Sequence, residues 1–376
     1  MHKAIIIDII PPDKSPALAG LEMEELTRLV ETYGGIVILE VMQNRGRPSA
    51  KTYVGTGKAE EAAKRAKDLR ADMVIINGFL KPAQIENLTR LFSHDPKDLT
   101  GKSNIPVWDR TDIILKIFEK HAKTEEAKLQ IRLAQLKHQI PKVYHYQAKL
   151  FDKERGGISG TRGAGEKGIE EEKRHIRSQI KEVEKKLEQV KKTHANQRHR
   201  RKRHGLKTVA LVGYTNAGKS TLLRSLTGKD VYIADKLFAT LDTRLGNLWL
   251  ADPQQPYKGQ KILLADTIGF IQNLPPYLVE SFKATLSEVQ EADLILHLVD
   301  SSDPQQQLKI RVVNEILKEL VSDAIPVLMV FNKADQQRCC FPEQRGRPVI
   351  SSLRKKSLEV LKQTLSRLVH KKDLVR

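Results

Sequence analysis

Cysteine, aromatic side chains and long apolar runs are all scarce in this 376-residue chain. Its two cysteines, Cys339 and Cys340, are neighbours, which rarely bridge, and no set of metal ligands surrounds them. A reducing, cytosolic setting therefore fits better than an oxidising one. The longest apolar runs, such as AIIIDII and DLILHLVD, fall far short of the roughly 20 residues needed to span a bilayer. They read as buried parallel strands, and stable membrane insertion is not expected. The start, MHKAIIIDIIPPDK, has a charge inside its apolar stretch and no small-residue cleavage pattern, which argues against a signal peptide. Acidic residues are also under-represented, 46 against 65 Lys and Arg, for a net charge of +19. Such an excess repels itself and points to a polyanionic partner, either nucleic acid or an anionic membrane. With 40% hydrophobic residues the chain can still bury real cores.

Apolar β-branched runs (KAIIIDI, GIVILE, ADMVIING, IPVWD) alternate with helical stretches up to about residue 110. That order predicts a small α/β domain with a mainly parallel sheet over residues 1–110. Residues 111–205 read as a helical hairpin. Its first arm is ILKIFEKHAKTEEAKLQIRLAQLKHQI, stopped or bent by Pro141. A glycine-rich loop follows at 155–168, and the second arm carries Ile176, Ile180, Val183, Leu187 and Val190 at three-and-four spacing. The arm ends in the basic run RHRRKRH. Residues 206–372 return to strand–loop–helix order and predict a doubly wound α/β domain.

That last domain carries the chemistry. Gly213-Tyr214-Thr215-Asn216-Ala217-Gly218-Lys219-Ser220 matches GxxxxGK[ST], followed by Thr221, between the strand KTVALV and the helix STLLRSL. Backbone N–H groups of such a turn, and the helix N-terminus behind it, face phosphate oxygens. Lys219 is expected on the β- and γ-phosphates and Ser220 on Mg²⁺. Alone, this motif says only that a nucleoside triphosphate binds. Asp266-Thr267-Ile268-Gly269 at the end of KILLAD supplies an aspartate for the Mg²⁺ shell and a Gly269 N–H for the γ-phosphate. Asn332-Lys333-Ala334-Asp335 follows PVLMVF. A carboxylate there accepts two parallel N–H bonds, which guanine offers and adenine does not. The expected cofactors are thus GTP and Mg²⁺. Thr240, in LFATLDT, is a candidate Mg²⁺ ligand and γ-phosphate sensor, with Thr243 competing for the role. Ser351 and Ser352 after PVI are candidates to touch guanine.

The position after DTIG, where many small GTPases place a water-orienting glutamine, is Phe270. A phenyl ring makes no hydrogen bond to water, so hydrolysis is expected to be slow unless a backbone group, a monovalent ion or a partner stimulates it. Two readings fit Asn216: a K⁺ contact beside the phosphates, or a local backbone hydrogen bond that stiffens the loop.

GYTNAGKST, LFATLDT, DTIGF and NKAD, together with GGISGTRGAGE at 156–166, resemble the HflX family of ribosome-associated GTPases. YVGTGK, WDRT and AKLQIRLAQLKHQIPK extend the likeness over nearly the whole chain. The resemblance implies binding to the large ribosomal subunit and its rRNA near the peptidyl transferase centre, in the cytoplasm, with splitting of stalled or idle ribosomes. It implies the P-loop role for Gly213, Asn216, Lys219 and Ser220, and the switch role for Thr240. Asp266 and Gly269 would form the second switch, and Asn332 and Asp335 the base site. The loop residues Gly157, Gly160, Arg162, Gly163 and Gly165 would approach rRNA. Arg200 and Arg201 in the basic run would add phosphate attraction. A GTPase of RNA-particle assembly is the alternative; the chain is expected to be monomeric. Ser159 in the glycine loop and KGIE at 167–170 depart from the family pattern, as does the short path from NKAD to PVISS.

Overall fold

The computed structural model describes every residue except 94–103, 156–163, 229–236, 239–242, 253–257, 273–274, 276–277, 279–286, 323, 337–343 and 371–376. For 144–155, 164–169, 202 and 370 it gives the backbone alone. The chain divides into two compact units: Met1–Lys120 with Lys128–Lys186, and His121–Ala127 with Leu187–Arg376.

The first unit holds a parallel sheet in the order β2-β1-β3-β4, built from β1 (His2–Ile10), β2 (Gly35–Asn44), β3 (Met73–Ile76) and β4 (Val107–Asp109). Helices α1 (Pro16–Tyr33), α2 (Thr56–Asp68) and α3 (Pro82–Leu91) connect the strands. Strand β1 and strand β3 are buried along nearly their whole length, as parallel strands covered on both faces must be. That requirement is why their sequences read as continuous apolar runs rather than alternating ones. Helix α1 starts where Ser15 Oγ accepts the Leu18 N–H, with Pro16 in its first turn. At the carboxyl ends of the strands lies a buried polar network. Arg110 is paired with Glu25 at 2.6 Å and donates to Asn77 Oδ1 at 2.7 Å, and Asn77 donates to Asp8 at 2.8 Å. The segment TYVGTGK forms a turn, with Tyr53 at φ 66° and its hydroxyl donating to Asp8.

The first arm of the hairpin is two helices, α4 (Arg110–His121) and α5 (Glu125–Arg155). Asp109 and Asp112 cap α4 reciprocally, each carboxylate accepting the other's backbone N–H. Thr124 Oγ1 accepts the Ala127 N–H and restarts the helix as α5. Pro141 lies inside α5 and does not stop it. A proline removes one helical donor, and the remaining ladder of a 31-residue helix carries on through it. Helix α6 (Ala164–Arg203) begins within the stretch expected to be loop, so Gly165 and Gly168 are helical. Each costs about 1 kcal/mol relative to alanine, a sum that a 40-residue helix absorbs. Ile176, Val183 and Leu187 on it are buried.

The second unit contains a five-stranded sheet in the order β6-β7-β5-β8-β9. Its strands are β5 (Lys207–Gly213), β6 (Arg244–Ala251), β7 (Gly259–Asp266), β8 (Leu294–Asp300) and β9 (Val327–Asn332). Only β6, at the edge, runs antiparallel. Among the described residues its named helices are α7 (Lys219–Thr227), α8 (Ser287–Gln290), α9 (Gln306–Leu320) and α10 (Lys355–His370). The central strands β5 and β8 are again buried runs rather than alternating ones. Val209, Leu211, Leu264, Leu296, Leu298 and Val330 share one core with Leu361 and Leu365 of α10.

Candidate nucleotide-binding site

Strands β5, β7, β8 and β9 all end at the same edge of the sheet, and the predicted motifs occupy the loops that leave it. This is where open α/β sheets bind ligands, and nucleotides in particular. Strand β5 delivers Gly213, and the turn to α7 needs left-handed backbone at Asn216 (φ 64°) and Gly218 (φ 92°). Gly218 has a second constraint, because a Cβ there would run into Asn332 Nδ2. Asn332 in turn donates to Ala217 O at 3.0 Å. The P-loop turn and the NKAD loop are therefore fastened together by one asparagine.

Lys219 is 6% exposed, and its Nζ donates to Gly213 O at 3.0 Å and Tyr214 O at 2.8 Å. Burial pulls its ammonium down to about 8, against the opposing pull of the Asp266 carboxylate. Ser220 Oγ donates to Asp266 Oδ2 at 2.7 Å. A hydroxyl and a carboxylate converging beside a buried ammonium are a donor set that suits Mg²⁺ and phosphate oxygens. Gly269 lies against the cradle: a Cβ on it would stand 2.9 Å from Thr215 Cα and 3.1 Å from Lys219 Nζ. Ala217 is buried, and Thr221 continues the first turn of α7.

The base loop is held from two sides. Asn332 Oδ1 accepts from Ser352 N at 3.0 Å and Ser352 Oγ at 2.8 Å. Ser351 and Ser352 are buried, and a bridge between Phe331 and Val349 brings their segment alongside β9. Lys333, at φ 61°, pairs with Asp300 Oδ2 at 2.7 Å. Asp335 is exposed. Its carboxylate is thus presented at the surface of a loop whose other polar members are already committed.

Thr240 lies outside the described residues, as do Gly157, Gly160, Arg162 and Gly163; Thr243 is described, just ahead of β6. Gly165 is in the first turn of α6. The two arginines of the basic run part company. Arg200 is exposed, whereas Arg201 Nη2 donates to Glu288 Oε1 at 2.7 Å. Arg201 is a within-chain ion-pair partner, because helical spacing turns it to the same side as Arg198, which pairs with Glu291 at 3.1 Å.

Two residues, Asp300 and His297, were not evident from the motifs, and the motif residue Tyr214 makes a contact that the motif does not announce. Tyr214 accepts the Gln272 N–H on its hydroxyl at 3.0 Å. Asp300, the last residue of β8, receives Lys333; an aspartate ending a strand beside NKAD is a signal the sequence did contain. His297 is buried on β8, opposite Val212, with no hydrogen bond to Nδ1 among the described residues. Burial, and then the charges of Lys219 and Arg347, hold His297 down to about 4, so it is neutral at pH 7.

A five-stranded sheet with this P-loop cradle and with the DTIG and NKAD segments at the same edge defines a P-loop GTPase, an enzyme that hydrolyses GTP. Residues 208–333 match the sequence family described as 50S ribosome-binding GTPase. Residues 21–119 match the GTP-binding GTPase N-terminal family, and 121–201 the GTP-binding GTPase Middle Region. The GTPase HflX of Caldanaerobacter subterraneus subsp. tengcongensis is 40% identical over 377 aligned positions, covering 100% of this chain and 82% of the relative. That of Escherichia coli K12 is 40% identical over 84% of this chain and 69% of its own length. Among solved structures, SsGBP in complex with GDP is 25% identical, with a TM-score of 0.53 over 98% of both chains. The chain belongs to the HflX family of GTPases.

Proposed function

We propose that this GTPase binds the large ribosomal subunit and its rRNA and splits or recycles stalled or idle ribosomes, with hydrolysis serving release. The observation that carries the reading is the likeness to HflX GTPases across the whole chain, the regions upstream of the nucleotide domain included. A GTP-switch alone needs only residues 206–372. The upstream α/β domain (1–110) and helical hairpin (111–205) are the parts that address a partner. The glycine-rich loop with Arg162 is the segment assigned to rRNA, since glycine permits backbone approach and arginine stacks or pairs there. No helix among the described residues is long and apolar enough to cross a membrane; the proposed setting is the cytoplasm, and the proposed state monomeric.

In the reaction, Lys219 supplies a buried positive charge to the β- and γ-phosphates, and Gly269 an N–H to the γ-phosphate. Ser220, Asp266 and Thr240 would hold Mg²⁺, whose charge neutralises the phosphate oxygens. Asp335 reads guanine, with Asn332, Ser351 and Ser352 fixing the loop. Phe270 is 2% exposed. Its ring belongs to the core and offers nothing to an attacking water, which supports slow intrinsic turnover. Asn216 as a K⁺ contact belongs to the same proposal, in place of the charge an arginine finger brings.

The test is steady-state GTP hydrolysis in K⁺ buffer with and without purified large subunits. The expected outcome is strong stimulation that is lost with Lys219→Ala. GTP binding without stimulation would favour a role in RNA-particle assembly, where the mature subunit is the wrong partner.

A further inference from the structure

The side chain after Gly213 takes no part in a phosphate cradle made of backbone, yet Tyr214 is 6% exposed and held on three sides. Its hydroxyl accepts the Gln272 N–H at 3.0 Å. Lys309 Nζ lies 5.2 Å from the ring centroid and is itself ion-paired with Asp303. On either side the backbones join: Phe270 N–H donates to Gly213 O at 3.2 Å, and Phe270 O accepts the Thr215 N–H at 2.8 Å. The segment that follows Gly269 thus forms a short parallel bridge along the P-loop. Gly269 is drawn down onto Thr215 and Lys219, with no room for a Cβ.

We propose that Tyr214 is a positioning residue for the GTPase: its hydroxyl clasps the segment after Asp266 to the phosphate cradle and biases the site toward the diphosphate. Lys219 and Gly269 are the two groups that both have to reach a γ-phosphate, and here they lie against one another. A diphosphate leaves that contact in place. A γ-phosphoryl group has to enter between them, which parts Gly269 from the cradle and strains the bridge that follows it. Gln272 is only 7% exposed, so losing the tyrosine oxygen removes the acceptor its N–H uses and loosens the clasp. The clasped arrangement alone bears this cost, because the opened segment can turn its amide to water.

The experiment uses the full chain with Mg²⁺ and fluorescent forms of GDP and a non-hydrolysable GTP analogue. Tyr214→Phe keeps the ring, the backbone and the Lys309 contact and removes the hydroxyl. The affinity ratio of analogue to GDP is expected to rise about fivefold, the effect of one buried hydrogen bond. The melting midpoint without nucleotide is followed in parallel. A residue that only fills the core would lower that midpoint and weaken both nucleotides alike, which would overturn the proposal, as would an unchanged ratio. Lys309→Gln leaves the hydroxyl in place and should hold the ratio within about twofold of the parent; a shift as large as that of Tyr214→Phe would move the effect from the hydroxyl to the ring.

Discussion

Lys219 shows how burial ties the phosphate site to pH. Its folded-state value of about 8 lies below the ordinary lysine value of 10.5. Burial therefore makes the ammonium harder to hold than in water, while phosphate favours it. Below pH 8 the lysine is already charged and affinity should be flat. Above pH 8, binding has to take up a proton, so nucleotide affinity should fall with rising pH, at most about tenfold per unit. Calorimetry in buffers of different ionisation enthalpy would detect the proton; uptake at pH 7 equal to that at pH 9 would refute the assignment. The same depression means the nucleotide-free fold gains stability as pH rises from about 8 toward the unfolded value. At the other end of the site, Asp335 is chemically separable from phosphate binding. Asp335→Asn swaps one acceptor for a donor and should weaken GTP by about a hundredfold, while xanthosine triphosphate, with a carbonyl in place of the amine, binds comparatively better. Competition titrations check this, and equal losses for both bases would deny Asp335 its role.

The last turns of α6 show where local sequence signals stop being informative. RHRRKRH reads as a uniform basic patch, but helical spacing divides it. Arg198 and Arg201 face α8 and the residue after it, where Glu288 and Glu291 receive them, and Arg198 also donates to Ser287 at 3.1 Å. With side chains only 10–19% exposed for Arg198, Arg201 and Glu288, these pairs rank between surface and core bridges. Glu288→Ala should cost about 2 kcal/mol by leaving two guanidiniums short of a carboxylate. Thermal unfolding should then move down by about 4–8 °C, whereas Arg200→Ala should leave it in place. The strands and the nucleotide motifs were legible because each depends on local chemistry: an apolar run, a glycine at positive φ, a residue type at a strand end. The pairing of Arg201 with Glu288 joins positions 87 residues apart and has no local signature. The stop expected at Pro141 failed for a related reason, since a proline reports one missing hydrogen bond and not the strength of the helix around it. The break at 122–124 was likewise hidden, because Thr124 caps α5 inside a stretch whose apolar spacing does not pause. Phe270 was read as an absence of catalysis; its positive role, bridging the P-loop, needed the register of two backbones.

Across the whole molecule the charge of +19 is the feature that folding does not explain. Ion pairs such as Arg110 with Glu25 and Arg201 with Glu288 use carboxylates that the net charge already counts, so the excess stands in full. On α6 Lys191, Lys192, Arg200 and Arg203 are exposed. Cations that contact RNA phosphates release counterions on binding, so the logarithm of the affinity falls linearly with the logarithm of salt concentration. Each phosphate contact contributes a slope of roughly 0.7 to 0.9. If Arg200 makes one such contact, Arg200→Ala should weaken binding to rRNA and reduce the slope by about 1, with GTP hydrolysis in the absence of RNA unchanged. Arg201→Ala should behave oppositely, lowering the melting midpoint and leaving the slope alone, because its guanidinium is already held by Glu288. Measuring both variants between about 50 and 200 mM salt separates the two roles. Equal slopes for the parent and Arg200→Ala would make Arg200 a solvated charge, and would leave the glycine-rich loop and the exposed lysines of α6 to account for RNA attraction.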